Sequence, residues 1–583
     1  MRPTFSAQLS SLFSLLNRYA ILIGFAFGCL VLLVDRHKAV FTVTYDMGIQ
    51  LNAAENYLVH GKLLSDHFTV QGPDLAIAGE APLLTWFPPG FSVAFAVFRK
   101  LGLSPAEALK RYDLAVLAFG LAGWGAILTQ IARAATGMGR FTAPLLSFWA
   151  FALPLVLCPW SGGTDSFLWA TSAWTTFLLV LLVSRDRWII APIGCAFLIA
   201  ASITFRYASL FLVILVASGL VLCLRKGLWA AIRPGLVFSA GLILFMVPLY
   251  LYNVTAQQGS VAPPYTYQNP FAGGIFIERL MEVASGLAKA NCLWGIPAVD
   301  HYLEGPETPG ELKIASGVVL LGLLIFGFVF SARKSAQQGS SELATWSYML
   351  IAAVLAMILF LLIPSFGTSY NSIKDGRYYM PLTPALQLAA CSILLASHAW
   401  GRVARIACAL LVIGFCLEAW FLRQAINHSF PLCYSGSRAS CEWQPILTWV
   451  RGGDFKLWSK PSYHELDLHY AAHEARAVLD KIRKEDPMAL IFVQEQPYFH
   501  FDKADAKICG IPEQYFWDKA FVSKESNLYF FSTGKGNDIV SSLCKRPVII
   551  TNYLKIERFA ETPNWTIRKI HAPEGAHLIT KTP

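Results

Sequence analysis

Apolar runs long enough to cross a lipid bilayer recur between Met1 and Gln424, and short basic loops separate them. A helix needs about 20 apolar residues to cross the hydrocarbon core. Only 14% of the 583 residues are charged, whereas soluble domains carry about 25%. The pattern therefore predicts a polytopic membrane protein and excludes an ordinary soluble globule.

The apolar runs predict eleven membrane-spanning helices and one helix that does not span. The spans are expected near residues 19–34, 112–132, 141–158, 166–184, 189–203, 207–224, 234–252, 312–332, 343–363, 380–398 and 406–423. Loops rich in Arg and Lys alternate with loops that are not, and the positive-inside rule places the basic loops in the cytoplasm. The pair 189–203 and 207–224 also fits one long bent element that breaks at Arg206. The run from Phe91 to Phe98 is too short to span, and it predicts a re-entrant or interfacial helix.

The segment 425–583 differs from the rest of the chain in charge. It holds 38 of the Lys, Arg, Asp and Glu side chains, whereas the longer segment 1–424 holds 46. Residues 469–486 have a helical period with a charged face, and β-rich runs follow, namely MALIFVQ, LYFF, PVIIT and HLIT. The predicted fold is thus mainly α, with a transmembrane helical bundle at 1–424 and a small extracytoplasmic α/β domain at 425–583. Four cysteines of that domain permit disulfides in three connectivities, namely Cys433, Cys441, Cys509 and Cys544.

A polar, acidic loop from Tyr45 to Gly90 interrupts the apolar pattern. A long polar loop is where solvent and chemistry reach a membrane protein. Asp46 in this loop is either a general base that takes a proton from an attacking hydroxyl or the N-cap of the helix that follows. Asp165 comes just before a span on the same side, and it is open to the same two kinds of interpretation: a chemical role or an N-cap.

Several cations fall where an anionic substrate is expected. Arg206 lies within an apolar stretch, which is costly unless the charge faces a cavity or a partner. It predicts an anion site, or else an intramembrane ion pair or a loop position. Lys110 and Arg111, and also Arg377 with Tyr378, fall at the outer face beside helix starts, where Arg binds phosphate oxygens through two N–H groups. The alternative for these residues is anchoring at lipid headgroups.

Two further features carry less weight. The net charge of +10 does not indicate a nucleic-acid partner, because the basic residues of the apolar part lie in short loops. The loop 253–311 adds several charged residues, among them Arg279 and Glu282, but their spacing matches no metal site.

With these residues placed, the chain resembles the GT-C membrane glycosyltransferases. That superfamily includes protein O-mannosyltransferases, lipid A aminoarabinose transferases and bacterial enzymes that use polyprenyl-phosphate sugars. The motifs that match in order are YDMG, HGKLLSDHF, WFPPGFSVAFAVFRKLGLSP, KRYDLAVLAFG, GGTDSFLWA, SITFRYASL and GRYYMPLTPAL. They cover about residues 10–425 as an order of landmarks, not as one strict signature.

The resemblance implies that a sugar moves from a polyprenyl or dolichyl phosphate to an acceptor hydroxyl, with inversion, on the extracytoplasmic side of the inner or plasma membrane. It implies that Asp46 is the base and that Asp165 is a second acidic residue near the sugar. The predicted substrate-binding residues are Arg377, Arg111, Arg206, Lys110, Tyr378, Asp66 and His67. The expected partners are the lipid-linked donor, a glycan, lipid or protein acceptor, and the bilayer. No cofactor is expected, and no metal site is carried over, because Asp46 is followed by Met47 where many relatives have a second acidic residue.

Two alternative functions stay open on the sequence. A transporter or lipid flippase is favoured by an intramembrane Arg206, although the chain shows no inverted repeat. A non-catalytic subunit would use its outer loops to bind a partner, with Asp46 as a helix cap. Since Asn caps a helix as well as Asp does, the substitution Asp46→Asn distinguishes a base from a cap.

Overall fold

The computed structural model describes most of the apolar segments and a set of strands. The described residues are 19–34, 50–51, 53–54, 57–58, 61–63, 69–71, 76–78, 83–84, 87–103, 105–134, 142–157, 163–256, 275–290, 310–336, 342–362, 379, 382–396, 401–416, 490–494, 520–522, 528–531, 547–551, 565–569 and 577–581. The predicted helix at 469–486 and the four cysteines of the C-terminal region lie outside these residues.

A helix of the structure overlaps every predicted span. The helices are α1 (Tyr19–Val34), α2 (Gly90–Lys100), α3 (Pro105–Ala134), α4 (Thr142–Leu157), α5 (Gly163–Arg185), α6 (Ile190–Phe205), α7 (Phe211–Leu224), α8 (Leu228–Ala256), α9 (Ile275–Ala290), α10 (Gly310–Ala336), α11 (Glu342–Leu362), α12 (Thr383–Leu395) and α13 (402–416). Within the described residues, six helices are long and apolar enough to cross a membrane. The protein is therefore an integral, multi-pass membrane protein, while the crossing number of eleven stays a prediction.

Helix α2 is too short to cross a bilayer, as its sequence predicts. It begins directly after Pro88-Pro89, and it buries Phe91 and Phe95 on one face while Val93 and Val97 stay exposed on the other. The buried face is fixed at its start, because Ser92 Oγ donates a hydrogen bond to the carbonyl oxygen of Gln50 at 2.7 Å. The helix is therefore amphipathic and anchored by one side.

The chain divides into two compact units. The helical unit holds α1, most of α3, and the helices from α4 to α13. The sheet unit holds the hairpin β1–β2 of the first polar loop, α2, the start of α3 and the C-terminal strands.

Helix α11 is the central helix of the helical unit. It packs against α5, α7, α9, α10 and α12, and nearly all of its side chains are buried. A helix that is apolar on all sides is expected in such an interior position. Two hydroxyls join it to α12, because Ser347 Oγ and Ser392 Oγ lie 2.6 Å apart.

The C-terminal ends of α5, α7 and α10 meet at one end of the helical unit. Arg225 Nη1 donates to the carbonyl oxygen of Ala332 at 2.7 Å, and Lys226 Nζ donates to the carbonyl oxygen of Val183 at 2.5 Å. These cations bond to carbonyls in the last turns of α10 and α5, and they oppose the negative end of each helix dipole. The N-terminal ends of α5, α7 and α10 therefore lie at the opposite end, which we call the site end.

Glycines allow α1 and α4 to approach closely. Gly24 and Gly28 are four residues apart on one face of α1, and a Cβ at these positions would overlap the carbonyl oxygens of Ser147 and Phe151. Small residues at this spacing are typical of close helix packing in membranes. The contact therefore requires glycine, at Gly28 above all.

The described strands of the sheet unit form one sheet in the order β2-β1-β4-β5-β3-β6-β8-β7. The strands are β1 (Thr69–Gln71), β2 (Ala76–Ala78), β3 (Leu490–Gln494), β4 (Ala520–Val522), β5 (Leu528–Phe531), β6 (Pro547–Thr551), β7 (Trp565–Lys569) and β8 (His577–Lys581). The inner strands β5, β3 and β6 are parallel, and the outer pairs are antiparallel.

The hairpin of the first polar loop joins the C-terminal strands. Strand β1 pairs antiparallel with β4, and Thr69 lies opposite Phe521. The polar loop and the C-terminal region therefore share one sheet. The α/β character of residues 425–583 stays a prediction, because the helix that it requires lies outside the described residues.

Candidate active site

Five of the predicted site residues lie outside the described residues. They are Asp46, Asp66, His67, Arg377 and Tyr378. The roles assigned to them stay predictions.

The structure brings Asp165 and Arg206 together in a buried ion pair. Asp165 lies in the first turn of α5, so it is inside the helix and not in front of it. Arg206 separates α6 from a 3-10 helix, Tyr207–Leu210, and its backbone is extended, with φ −154° and ψ 118°. Arg206 Nη1 contacts Asp165 Oδ1, and the two side chains are 14% and 7% exposed. Of the alternatives that the sequence left for Arg206, the structure shows an ion pair.

Aromatic rings stack between the two segments that carry this ion pair. Phe167 follows Asp165 on α5, and Phe205 precedes Arg206 at the end of α6. Their ring centroids are 3.8 Å apart, with an angle of 13° between the planes. Charges held in so apolar a place depend on each other, because removing one of them leaves the other buried without compensation.

Lys110 and Arg111 lie within α3, not before it. The helix was expected from residue 112 but begins at Pro105, because proline is favoured in the first turn and the Ala, Glu and Leu residues that follow are good helix formers. Arg111 Nε lies 3.5 Å from Glu107 Oε2, one turn earlier, and both side chains are about half exposed. Such a pair contributes little to stability, so Glu107 does not hold Arg111 away from another anion.

Arg279 on α9 is a buried cation that the sequence placed in a loop without assigning it a role. Its side chain is 9% exposed, and no described residue supplies a hydrogen-bond partner to its Nε or Nη1. Burial lowers the pKa of the guanidinium, yet arginine stays protonated in proteins. A buried, uncompensated cation is unfavourable, so an anion at this position would be bound strongly.

An apolar pocket lies on the same face of α9. It is lined by Leu287, Val354, Met357, Tyr379, Leu382 and Thr383. Arg279 and Leu287 are eight residues apart, which is about 12 Å along the helix and about 80° around it. The pocket has room for about one water molecule, so it is a small gap in the packing of α9 against α11 and α12.

Tyr379 adds a polar group to this pocket just before α12. Burial raises the pKa of its phenol, and the nearby Glu282 carboxylate raises the pKa further. The phenol therefore stays protonated and able to donate a hydrogen bond.

Arg279 and the Asp165–Arg206 pair lie at the same end of the helical unit. Helix α9 packs against the first half of α10, where Gly317 meets the backbone of Ala284, and Asp165 lies in the first turn of α5. Both positions are at the site end, which is the end of the helical unit opposite the C-termini of α5, α7 and α10. The described residues contain no group of three His, Cys, Asp or Glu side chains placed to hold a metal ion.

A signal for Arg279 is present in the sequence IFIERLMEVASGLAKA. A helical period places Arg279 on one face with Val283 and Leu287, which are both buried. An Arg on the apolar face of an amphipathic helix marks a buried charge.

The chain is similar in structure to two solved membrane glycosyltransferases. ArnT from Cupriavidus metallidurans, bound to undecaprenyl phosphate, aligns with a TM-score of 0.44 and 12% identity over 95% of this chain and 97% of ArnT. ArnT in the apo state aligns with a TM-score of 0.40 and 13% identity over 96% of this chain and 97% of ArnT. Arabinofuranosyltransferase AftD from Mycobacteria aligns with a TM-score of 0.41 and 11% identity over 96% of this chain and 41% of AftD.

ArnT and AftD are both GT-C enzymes, the superfamily that the motifs of this chain resemble. No family model matches the sequence, and no curated protein matches it. At these TM-scores and identities the likenesses assign no function, so the proposal for this chain rests on its own residues.

Proposed function

We propose that this protein is a membrane glycosyltransferase that moves a sugar from a polyprenyl-phosphate donor to an acceptor hydroxyl on the extracytoplasmic side, with inversion. The observation that carries the proposal is the buried Arg279, which lies at the same end of the helical unit as the Asp165–Arg206 pair and whose Nε and Nη1 have no hydrogen-bond partner among the described residues. A lipid-linked phosphate supplies an anion for Arg279.

The reaction is a single displacement at the anomeric carbon. Asp46 takes the proton from the acceptor hydroxyl, and the acceptor oxygen attacks the anomeric carbon from the face opposite the phosphate. The bond between that carbon and the phosphate oxygen breaks, and polyprenyl phosphate leaves with one more negative charge. Cations already in place stabilise that charge, and they do so more strongly in a site that excludes water.

The cations differ in what they offer the leaving phosphate. Arg206 forms an ion pair with Asp165, so the two side chains together carry little net charge in the resting state. The main role of Arg206 is therefore to orient Asp165 near the sugar. Arg279 has no hydrogen-bond partner for its Nε and Nη1 among the described residues, although Glu282 lies one turn further along α9. These donors are open to a phosphate, so Arg279 is the stronger phosphate ligand. Arg377, Arg111, Lys110 and Tyr378 are further ligands of the phosphate in this proposal, and Asp66 and His67 are the remaining substrate-binding residues predicted from the sequence.

The distribution of basic residues supports an extracytoplasmic site. Arg225 and Lys226 bond to helix carbonyls at the end opposite the site end, and Arg333 and Lys334 fall in the last turn of α10 at that same end. Basic residues mark the cytoplasmic side of a membrane protein. The site end therefore faces away from the cytoplasm.

The C-terminal region is proposed to lie on the same side and to help seat the acceptor. The pairing of β1 with β4 supports this role, because it ties the loop that carries Asp46 to the C-terminal strands. Protease added to the cytoplasmic side alone should leave residues 425–583 intact. Cleavage from that side would contradict the topology.

The proposed function is tested by sugar transfer from a panel of polyprenyl-phosphate sugars in proteoliposomes, with the wild type and Asp46→Asn. The wild type should consume one donor, and Asp46→Asn should bind polyprenyl phosphate but transfer no sugar, because it lacks a base. Equal transfer by both proteins would show that Asp46 is only a helix cap. If the wild type binds donors but consumes none, the proposal fails, and flipping of the lipid across the bilayer becomes the function to measure.

A further inference from the structure

Three buried hydroxyls connect α5 to the break between α6 and α7. Thr171 Oγ1 donates to Ser202 Oγ at 2.9 Å, and Ser202 Oγ donates to Ser209 Oγ at 2.8 Å. Ser209 Oγ in turn donates to the carbonyl oxygen of Ser202 at 3.2 Å. All three side chains are fully buried. We call these three residues the hydroxyl clamp.

Two residues of the hydroxyl clamp, Ser202 and Ser209, flank Arg206 in the sequence. The backbone N–H of Arg206 donates to the carbonyl oxygen of Ser202 at 2.8 Å, and the N–H of Ser209 donates to the carbonyl oxygen of Arg206 at 2.9 Å. Arg206 is thus held on both sides by the two serines while its own backbone is extended. Through Thr171 the same residues are tied to α5, the helix that carries Asp165.

The hydroxyl clamp differs from the other buried hydroxyls on α5. Ser172 and Thr176 donate to carbonyls of their own helix, at 2.7 Å and 2.8 Å, which is the ordinary use of Ser and Thr in a membrane helix. Thr171 Oγ1 also lies within hydrogen-bond distance of two carbonyl oxygens of its own helix, those of Phe167 at 2.9 Å and Leu168 at 3.1 Å. Unlike Ser172 and Thr176, it contacts a hydroxyl of α6 as well. Thr171 and Ser202 therefore link two elements whose relative position decides whether Asp165 and Arg206 meet. The break between α6 and α7 interrupts the helical backbone hydrogen bonds in an apolar place, which is unfavourable. Side-chain hydrogen bonds between its two sides stabilise the break.

We infer that Thr171, Ser202 and Ser209 are positioning residues that hold Arg206 against Asp165 for sugar transfer. This inference rests on the proposed function. The hydroxyls touch neither sugar nor phosphate. They set the distance between α5 and the break, and so they keep the acidic residue near the sugar correctly oriented.

The first test is steady-state transfer per folded molecule, for Ser202→Ala, Ser209→Ala and the matched control Ser172→Ala. Loss of one such hydrogen bond should lower kcat about 3- to 10-fold while the donor KM changes little. Ser202→Thr keeps the hydroxyl and should restore most of the rate. Ser172→Ala removes an equally buried hydroxyl that lies outside the hydroxyl clamp, and it should leave kcat unchanged. Equal rates for Ser202→Ala and Ser172→Ala would refute the inference.

The second test needs no turnover. Amide hydrogen exchange over residues 203–210 should be faster in Ser202→Ala than in the wild type and unchanged in Ser172→Ala. Ser202→Ala removes the side-chain bonds to Thr171 and Ser209, so the break between α6 and α7 opens locally more often. Unchanged exchange in Ser202→Ala would refute the inference that the hydroxyl clamp holds Arg206 in position. If the wild type moves no sugar, the proposed function fails by itself, and exchange still decides whether the hydroxyls hold Arg206.

Discussion

Asp165 and Arg206 form a buried ion pair although the whole of α6 lies between them in the chain. Asp165 lies in the first turn of α5, and Arg206 lies between the end of α6 and the start of the 3-10 helix. A pair so placed links the helix that carries the acidic residue to the break that carries the cation. The contact therefore fixes the start of α5 relative to the break between α6 and α7.

The ion pair predicts a particular pattern of stability. Asp165→Asn and Arg206→Gln each leave an uncompensated buried group, which costs about 3–5 kcal/mol when a buried pair is broken. The double substitution leaves neither charge, so it should cost less than the sum of the single substitutions. Thermal unfolding midpoints in detergent measure this. Strictly additive losses would mean that the two side chains do not interact.

Arg279 predicts a gain in stability with a loss in binding. Arg279→Met removes a buried cation without a described partner, so the unfolding temperature should stay the same or rise. Binding of polyprenyl phosphate should weaken about 10- to 100-fold, because a charged hydrogen bond contributes about 1.5–3 kcal/mol. Arg333→Met, in the last turn of α10 at the opposite end, is the control and should bind normally. Lower stability with unchanged binding would assign Arg279 a structural role.

Tyr379 predicts how donor binding depends on pH. Its phenol donates a hydrogen bond only while protonated. Burial raises the pKa of the phenol most, and the Glu282 carboxylate raises it further. A raised pKa extends the protonated form to higher pH, so this residue should cause no loss of affinity up to about pH 10, the ordinary pKa of tyrosine. Titrating donor affinity for the wild type and Tyr379→Phe checks this. A fall below about pH 10 that Tyr379→Phe abolishes would contradict it.

The pairing of β1 with β4 predicts a specific cross-link. Residues opposite each other in antiparallel strands have Cα atoms about 4.5–5.5 Å apart, within reach of a disulfide. The double variant Thr69→Cys with Phe521→Cys should therefore oxidise to a bridge that joins the polar loop to the C-terminal region. Thr69→Cys with Ile567→Cys, on the strand β7 at the other edge of the sheet, should not. Equal cross-linking of both variants would exclude this register.

The close contact at Gly28 predicts that a larger side chain there, which would push α1 away from α4, lowers the stability of the protein. Gly28→Val would push side-chain atoms into the backbone of Phe151, and overpacking of this kind costs about 1–3 kcal/mol. Gly322→Val is the matched control, because nothing lies within 4 Å of a Cβ at that position. The unfolding temperature should fall for Gly28→Val and stay nearly constant for Gly322→Val. Similar values for both would show that α1 does not pack closely.

Much of the helical framework could be predicted because long apolar runs and their basic boundaries are local signals. The β-rich runs also coincide with β3, β5, β6 and β8. Strands β4 and β7 were missed, since AFV is very short and WTIRK includes two basic residues. The hairpin at Thr69–Ala78 was missed as well, because it pairs with β4 at the far end of the chain.

The site was less predictable, because its geometry depends on which helices are neighbours. The sequence placed Asp165 just before a span and allowed an ion pair for Arg206, but neither position alone reveals its partner. The hydroxyl clamp gave no local signal, because Ser and Thr in an apolar helix usually bond to their own backbone. Arg279 differs, because the helical period of the residues around it is a local signal for its burial.

The most direct measurement is the product balance of the purified wild type with a polyprenyl-phosphate sugar and an acceptor. The account predicts that each sugar transferred releases one polyprenyl phosphate, and that nuclear magnetic resonance shows the opposite anomeric configuration in the product. A donor that stays chemically intact while it crosses the bilayer would contradict the account and identify a lipid transporter.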